Sequence, residues 1–180
     1  ASLLMTDPLN DAVAYVMLKE GRVTSEAEPV DIASFVEDTA AAYRPTAERN
    51  RVSLSVDSTV SGQVMMDADK MRRVLDTLLT NACSVENGIA VLRARMLPFD
   101  GHDTLELSVS DTGIGFEDDE LKNVFCCFAK INPRSRKAYN RTGLSLPLAS
   151  ELCHLMGGSL TVTSDFGNGA TFLVKLELRS

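Results

Sequence analysis

Residues 66–83 constrain this chain more than any other stretch. Met71, Val74, Leu75, Leu78, Leu79 and Ala82 recur on one side of a helical period, and Asp67 stands where a carboxylate can cap the first turn. Such a helix cannot leave that apolar face in water and needs a layer to lie on. The surrounding sequence supplies strands. Residues 52–56 alternate apolar and polar; 89–95 and 105–110 read as two strands joined by PFDGHD; 159–164 and 170–178 flank the turn DFGNG.

Further helices are expected at 7–19, where Leu9, Val13, Val16 and Met17 share a helical spacing, and at 30–43, with Asp31 as N-cap. Two more are expected, a short acidic one at 118–124 and one at 146–156 that stops at Gly157-Gly158. Residues 23–29 read as a polar linker, and KINPRSRKAYNRTG, 130–143, shows no period. Helices and antiparallel-type strands mix without regular βαβ alternation. The pattern predicts an α+β fold, a two-layer sandwich whose mixed sheet is covered on one face by helices.

With 180 residues, 44% hydrophobic and 24% charged, the chain can bury the core of one domain with a short appendage. Its net charge of −7 argues against a broad surface for nucleic acid, which is not an expected partner. No apolar run approaches the about 20 residues of a membrane helix. The start, ASLLMTDPLND, lacks a basic leader with an apolar core, so neither a signal peptide nor direct membrane contact is expected. Cys83, Cys126, Cys127 and Cys153 form no CxxC pair, and His102 and His154 are the only histidines, so a zinc site is poorly supplied. Reduced cysteines used as small hydrophobes in a cytoplasmic protein are the expectation.

Three pieces carry chemistry, and their order matters. Asn81 sits near the end of the long helix, on or beside its apolar face. Asp111 follows a strand and opens the glycine loop DTGIGF, where a carboxylate can accept a hydrogen bond from an exocyclic amino group such as adenine presents. RTGLSL, 141–146, opens a helix whose first backbone N–H groups suit an anion, and Lys130, Arg134, Arg136, Lys137 and Arg141 crowd the stretch before it. An amide oxygen such as that of Asn81 can ligate magnesium, which bridges substrate phosphates. Together these describe a pocket for a nucleotide with its metal.

Residues 29–178, about five-sixths of the chain, resemble the ATP-binding catalytic domain of sensor histidine kinases, the Bergerat fold shared with gyrase-type topoisomerases and a heat-shock chaperone. RRVLDTLLTNA resembles that family's N box, DTGIGF its first glycine box, VFCCF its two-phenylalanine box, RTGLSL its second glycine box, and MGGSLTVTSDFGNGATF its closing strands. The resemblance implies ATP and Mg2+ as ligands. It implies Asp111 on the adenine amino group, Asn81 on magnesium, and Gly113 and Gly115 shaping the adenine loop. Lys130, Thr142, Gly143 and Leu144 would meet the phosphates, and Thr171 would support the adenine end. Residues 1–22 resemble the tail of the second helix of the dimerisation hairpin, which leaves 23–29 as linker and 30–180 as the catalytic domain. The implied function is a kinase domain that donates the γ-phosphate to a histidine on that hairpin, outside this chain, with a response-regulator receiver domain as the downstream partner.

Four positions depart from the family pattern. Arg141 and Ser145 replace two glycines of the second box, Thr77 stands where an asparagine or glutamate base is usual, and Ser84 replaces a basic residue. Thr77 is a poor base, which disfavours a topoisomerase- or chaperone-type ATPase. The departures motivate a second reading, a pseudokinase domain with weakened nucleotide binding that docks a partner kinase or response regulator. His102 lacks the surroundings of a phosphoacceptor, and His154 is expected as a core or boundary side chain.

Overall fold

The computed structural model describes residues 8–129, 133–134, 139 and 142–178. The long helix forms as its periodicity dictates. α4, Ala68–Cys83, starts where Asp67 accepts the Lys70 N–H at 3.1 Å, and its buried face carries all six predicted apolar residues together with Asn81. It lies on a five-stranded sheet made of β2 (Ser53–Ser58), β4 (Ile89–Phe99), β5 (His102–Asp111), β6 (Gly158–Ser164) and β7 (Ala170–Leu178). The strand order is β2-β4-β5-β7-β6; β2 runs parallel to β4 and every other pair is antiparallel. The sheet is therefore mixed, as expected.

Alternation along β5 shows which face is covered. Leu105, Leu107, Val109 and Asp111 are buried, whereas Thr104, Glu106 and Ser110 on the opposite face are only half-buried. α2 (Ile32–Ala41), α4 and α5 (Ser145–Leu155) cover that apolar face. The core between the layers runs from Ile32 and Val36 through Leu75, Leu78 and Leu79 to Leu92, Leu107 and Phe172. Among the described residues, no buried polar side-chain atom lacks a hydrogen-bond partner. No helix among them is long and apolar enough to cross a membrane.

Several expectations are corrected. The linker is not wholly irregular: β1, Glu28–Asp31, pairs antiparallel with β3, Gln63–Met66, in a small second sheet. Both strands are four residues long, and neither EPVD nor QVMM alternates apolar with polar residues. The helix expected to run to residue 43 stops at Ala41, and α3, Arg44–Arg49, starts anew with a proline in its first turn. Residues 117–126 form successive i→i+3 turns rather than a helix: Glu120 donates its N–H to the Glu117 carbonyl, and the Glu120 carboxylate accepts the Glu117 N–H at 2.8 Å. His154 is exposed, in the last turn of α5. α1, Pro8–Lys19, leaves Leu9, Val13, Val16 and Met17 outside and turns Ala14, Tyr15 and Leu18 toward the domain. The cysteines divide, with Cys83 and Cys153 buried and Cys126 and Cys127 exposed.

Candidate functional site

β5 delivers Asp111 to the end of the covered face, opposite Ala90 of β4. The chain then turns through Gly113 and Gly115. The Gly113 N–H folds back to Asp111 Oδ1 at 2.8 Å, an Asx-type closure that fixes the carboxylate. Gly115 has a φ of +69°, and a Cβ there would crowd Ser164 Oγ and the Gly169 carbonyl. That contact ties the loop to the β6–β7 turn. Ser164 Oγ accepts the Phe116 N–H at 2.8 Å and donates to the Gly169 oxygen at 2.7 Å, and Gly167 N–H reaches the Ile114 carbonyl at 2.7 Å.

Tyr139 fills the space above this loop. It is fully buried, its ring centroid 4.6 Å from that of Phe116 and 5.9 Å from that of Phe172. Its hydroxyl donates to Asp111 Oδ1 at 2.8 Å and accepts the Gly115 N–H at 3.1 Å. Its carbonyl accepts from Asn81 Nδ2 at 2.9 Å. Burial pushes the Asp111 carboxyl above the usual carboxylate range, against the Gly113 N–H, the Tyr139 hydroxyl and the Ala170 N–H, which all favour its charged form. Burial, and then the negative charge of Asp111, push the Tyr139 phenol up as well, so the phenol keeps its proton and remains the donor.

The residues expected to meet phosphates lie at the start of α5. Thr142 Oγ1 accepts the Leu144 N–H at 3.2 Å and donates to Asp11 Oδ2 of α1 at 2.8 Å. Gly143, at φ +79°, packs against the Phe128 ring and accepts the Phe128 N–H at 2.8 Å. Leu144 is buried and precedes α5, which carries no side-chain cap. Lys130 and Arg141, with Arg136 and Lys137, lie outside the described residues.

The structure thus brings Asn81, Asp111, Gly113 and Gly115 together around one buried aromatic residue, Tyr139. Thr171 does not join them. Its hydroxyl meets Ser110 Oγ at 2.9 Å on the opposite face of the sheet, because the strand period of two sends Thr171 and Phe172 to opposite sides, while the neighbouring Ala170 N–H reaches Asp111. Of the departing positions, Thr77 Oγ1 faces the Arg73 carbonyl at 3.5 Å, and Ser84 Oγ donates to the Asn81 carbonyl at 2.8 Å, closing the end of α4. Sequence reasoning missed Tyr139, Phe116, Phe172, Ser164 and Asp11. The one available signal was an aromatic residue, Tyr139, inside an otherwise polar, basic stretch.

The two polar anchors, Asp111 and Asn81, fit a nucleotide in their donor and acceptor chemistry. Asp111 already accepts a hydrogen bond from a flat ring packed, tilted, against two phenylalanines, as it would from an adenine amino group. The Asn81 amide is oriented through its nitrogen, which leaves its oxygen as the atom suited to a hard cation.

Residues 66–180 match the family described as histidine kinase-, DNA gyrase B- and HSP90-like ATPases. The chain is 30% identical over 176 residues to the autoinducer 2 sensor kinase/phosphatase LuxQ of Vibrio parahaemolyticus, covering 95% of this chain and 20% of LuxQ. It is 29% identical over 175 residues to the aerobic respiration control sensor protein ArcB of Escherichia coli, covering 95% of this chain and 22% of ArcB. The chain therefore spans about a fifth of the length of these relatives. Full-length ShkA in complex with AMPPNP superposes with a TM-score of 0.82 at 25% identity, covering 96% of this chain and 35% of ShkA. The Acinetobacter baumannii histidine kinase AdeS superposes with a TM-score of 0.76 at 17% identity, covering 96% of this chain and 77% of that one, a likeness of fold. The chain belongs to the histidine kinase-, DNA gyrase B- and HSP90-like ATPase family, and within it to the ATP-binding domains of sensor histidine kinases.

Proposed function

We propose that this chain binds ATP with Mg2+ and serves as the catalytic domain of a sensor kinase, presenting the γ-phosphate to a histidine outside it. One observation carries the reading: a buried carboxylate, Asp111, is held by a backbone N–H beside an aromatic cluster and accepts a donor borne on a flat ring. Asp111, Gly113 and Gly115 would hold the base, and Asn81 the metal. Lys130, Thr142, Gly143 and Leu144 would meet the phosphates. Magnesium would offset phosphate charge, and this chain's own residues would supply positioning.

Residues 1–22 are proposed as the end of a hairpin helix, 23–29 as linker and 30–180 as the domain. The outward stripe of Leu9, Val13, Val16 and Met17 supports a helical partner, the dimerisation and phosphoacceptor hairpin. A cleft of about 380 Å³ beside α1, lined by Val13, Met17, Leu18, Leu148 and Leu152, adds apolar surface there. A receiver domain is the proposed downstream partner, as the hybrid signal transduction histidine kinase B of Dictyostelium discoideum is among the relatives. Nothing in the comparisons favours the non-catalytic docking reading.

Nucleotide selectivity tests the base pocket. Asp111 accepts a 6-amino donor and repels the 6-oxo acceptor of guanine, so ATP should displace a fluorescent ATP analogue at concentrations roughly a hundredfold lower than GTP. No binding at millimolar nucleotide, or equal displacement by ATP and GTP, defeats the proposal.

A further inference from the structure

Asp111 at the end of β5 and Asn81 near the end of α4 come from different elements, yet both turn their polar atoms on one residue. The Tyr139 hydroxyl donates to Asp111 at 2.8 Å, and the Tyr139 carbonyl accepts from Asn81 at 2.9 Å. The same hydroxyl accepts the Gly115 N–H at 3.1 Å, so a single oxygen both donates to the carboxylate and accepts from the glycine loop. The adenine edge offers that pairing, an amino donor beside a ring-nitrogen acceptor. The Tyr139 ring packs tilted against both Phe116 and Phe172, which also meet each other edge-on at 6.2 Å, so it completes an aromatic cluster beside which a planar base would lie. A Cβ on Gly113 would stand 2.9 Å from the Tyr139 hydroxyl, so phenol and glycine loop are packed without slack.

We propose that Tyr139 is an internal plug of the base pocket: its phenol takes the seat and the hydrogen-bonding positions of a purine base, and nucleotide and Tyr139 exclude one another. The inference rests on the nucleotide-binding reading above and adds the regulation of that site. Apparent affinity then equals the affinity of the opened pocket reduced by the fraction of molecules in which Tyr139 is out. Asn81 holds the same residue through its backbone carbonyl, which the ring can leave in place, so the Asn81 oxygen assigned to the metal stays oriented while the base seat opens.

The test compares wild-type chain with Tyr139→Phe, which keeps the ring in its aromatic setting and removes only the hydroxyl. AMPPNP with magnesium is titrated by calorimetry. Loss of a hydrogen bond to a charged partner weakens the plugged state, and the variant should bind with a Kd roughly ten- to hundredfold lower. A second readout needs no variant. Tetranitromethane should leave Tyr139 unmodified in the free chain and nitrate it at saturating AMPPNP, while Tyr43, also fully buried, stays protected in both and serves as control. If wild type binds AMPPNP but Tyr139→Phe binds no tighter, or Tyr139 stays protected at saturation, the plug is wrong and the nucleotide reading stands. If neither protein binds AMPPNP at millimolar concentration, the nucleotide reading falls and takes the plug with it.

Discussion

Two glycines of the β6–β7 turn separate the cost of backbone conformation from the cost of crowding. Gly167 and Gly169 both lie at positive φ, +90° and +97°. Gly167 is exposed, and a Cβ there would meet nothing within 4 Å. Gly169 is buried, and its Cβ would press on the Asp111 carbonyl, standing 2.8 Å from the carbonyl carbon and 3.0 Å from Thr112 Cα. Alanine at 167 should therefore cost the backbone penalty alone, about 1–2 kcal/mol. Alanine at 169 should add an overpacking penalty of about 1–3 kcal/mol, because the neighbours are backbone atoms of a sheet end that cannot rotate away. The difference between the variants should lower the melting temperature by about 2–12 °C, at about 2–4 °C per kcal/mol for a chain of this size. Thermal unfolding followed by circular dichroism measures both. Since Gly169 touches the residue that carries the base acceptor, Gly169→Ala should also weaken AMPPNP binding and Gly167→Ala should not. Equal melting temperatures for the two variants would refute the claim that close approach of this turn sets the Asp111 position.

Asp67 joins the α4 cap to the linker, accepting the Lys70 N–H at 3.1 Å and the Glu26 N–H at 2.9 Å, so Asp67→Ala should cost about 0.5–2 kcal/mol from the cap alone in urea unfolding. Burial by itself would raise the Asp67 carboxyl, but the Glu26 and Lys70 N–H groups and the Lys70 ammonium outweigh it and hold it below the usual carboxylate range. Its charged form therefore contributes stability that is present above about pH 4, the unfolded value, and disappears as pH falls through the folded one. Asp67→Asn should flatten that acid limb of the stability profile, and an unchanged limb would show that other carboxylates set it. Burial pushes the Cys83 thiol up to about 11 and the Cys153 thiol up to about 12, whereas Cys126 and Cys127 are exposed. Ellman's reagent at neutral pH should count two fast thiols in the folded chain and all four only in denaturant. Leu75→Ala, at a fully buried position of α4, should cost about 2–5 kcal/mol in the same unfolding assay.

Features with a period were legible, and features made by contact were not. α4 could be read residue by residue because six apolar side chains and a capping aspartate repeat one geometric rule. The glycine loop was legible because its composition admits few backbone paths. The short elements β1, β3 and α3 were not, since EPVD and QVMM do not alternate and α3 is under two helical turns, whereas the equally short β2 alternates and was readable. The acidic tract at 117–126 has helix-forming composition, yet its backbone closes as successive turns from the Glu120, Asn123 and Cys126 N–H groups, with the Glu120 carboxylate folding back on the Glu117 N–H. Thr171 was placed in the site by resemblance alone, and one residue of offset on a strand puts it on the wrong face of the sheet.

The partner of Asp111 is the contact that spacing could not announce, and elementary energetics explain why a partner exists. A carboxylate buried at the end of a sheet costs several kcal/mol unless its oxygens are paired. A fold that recognises a base through such a group must satisfy it in the free protein too, by letting water in or by lending it a donor. Water would require an open pocket and would leave Phe116 and Phe172 wetted. Lending a tyrosine solves both problems at once, since the ring covers the phenylalanines and the hydroxyl pairs the carboxylate. The same solution sets a threshold on ligand binding, because whatever stabilises the free domain must be given up when a base enters. Stability of the free domain and affinity for nucleotide are therefore coupled through Tyr139 with opposite sign, and Tyr139→Phe should lower the melting temperature of the free chain while tightening AMPPNP.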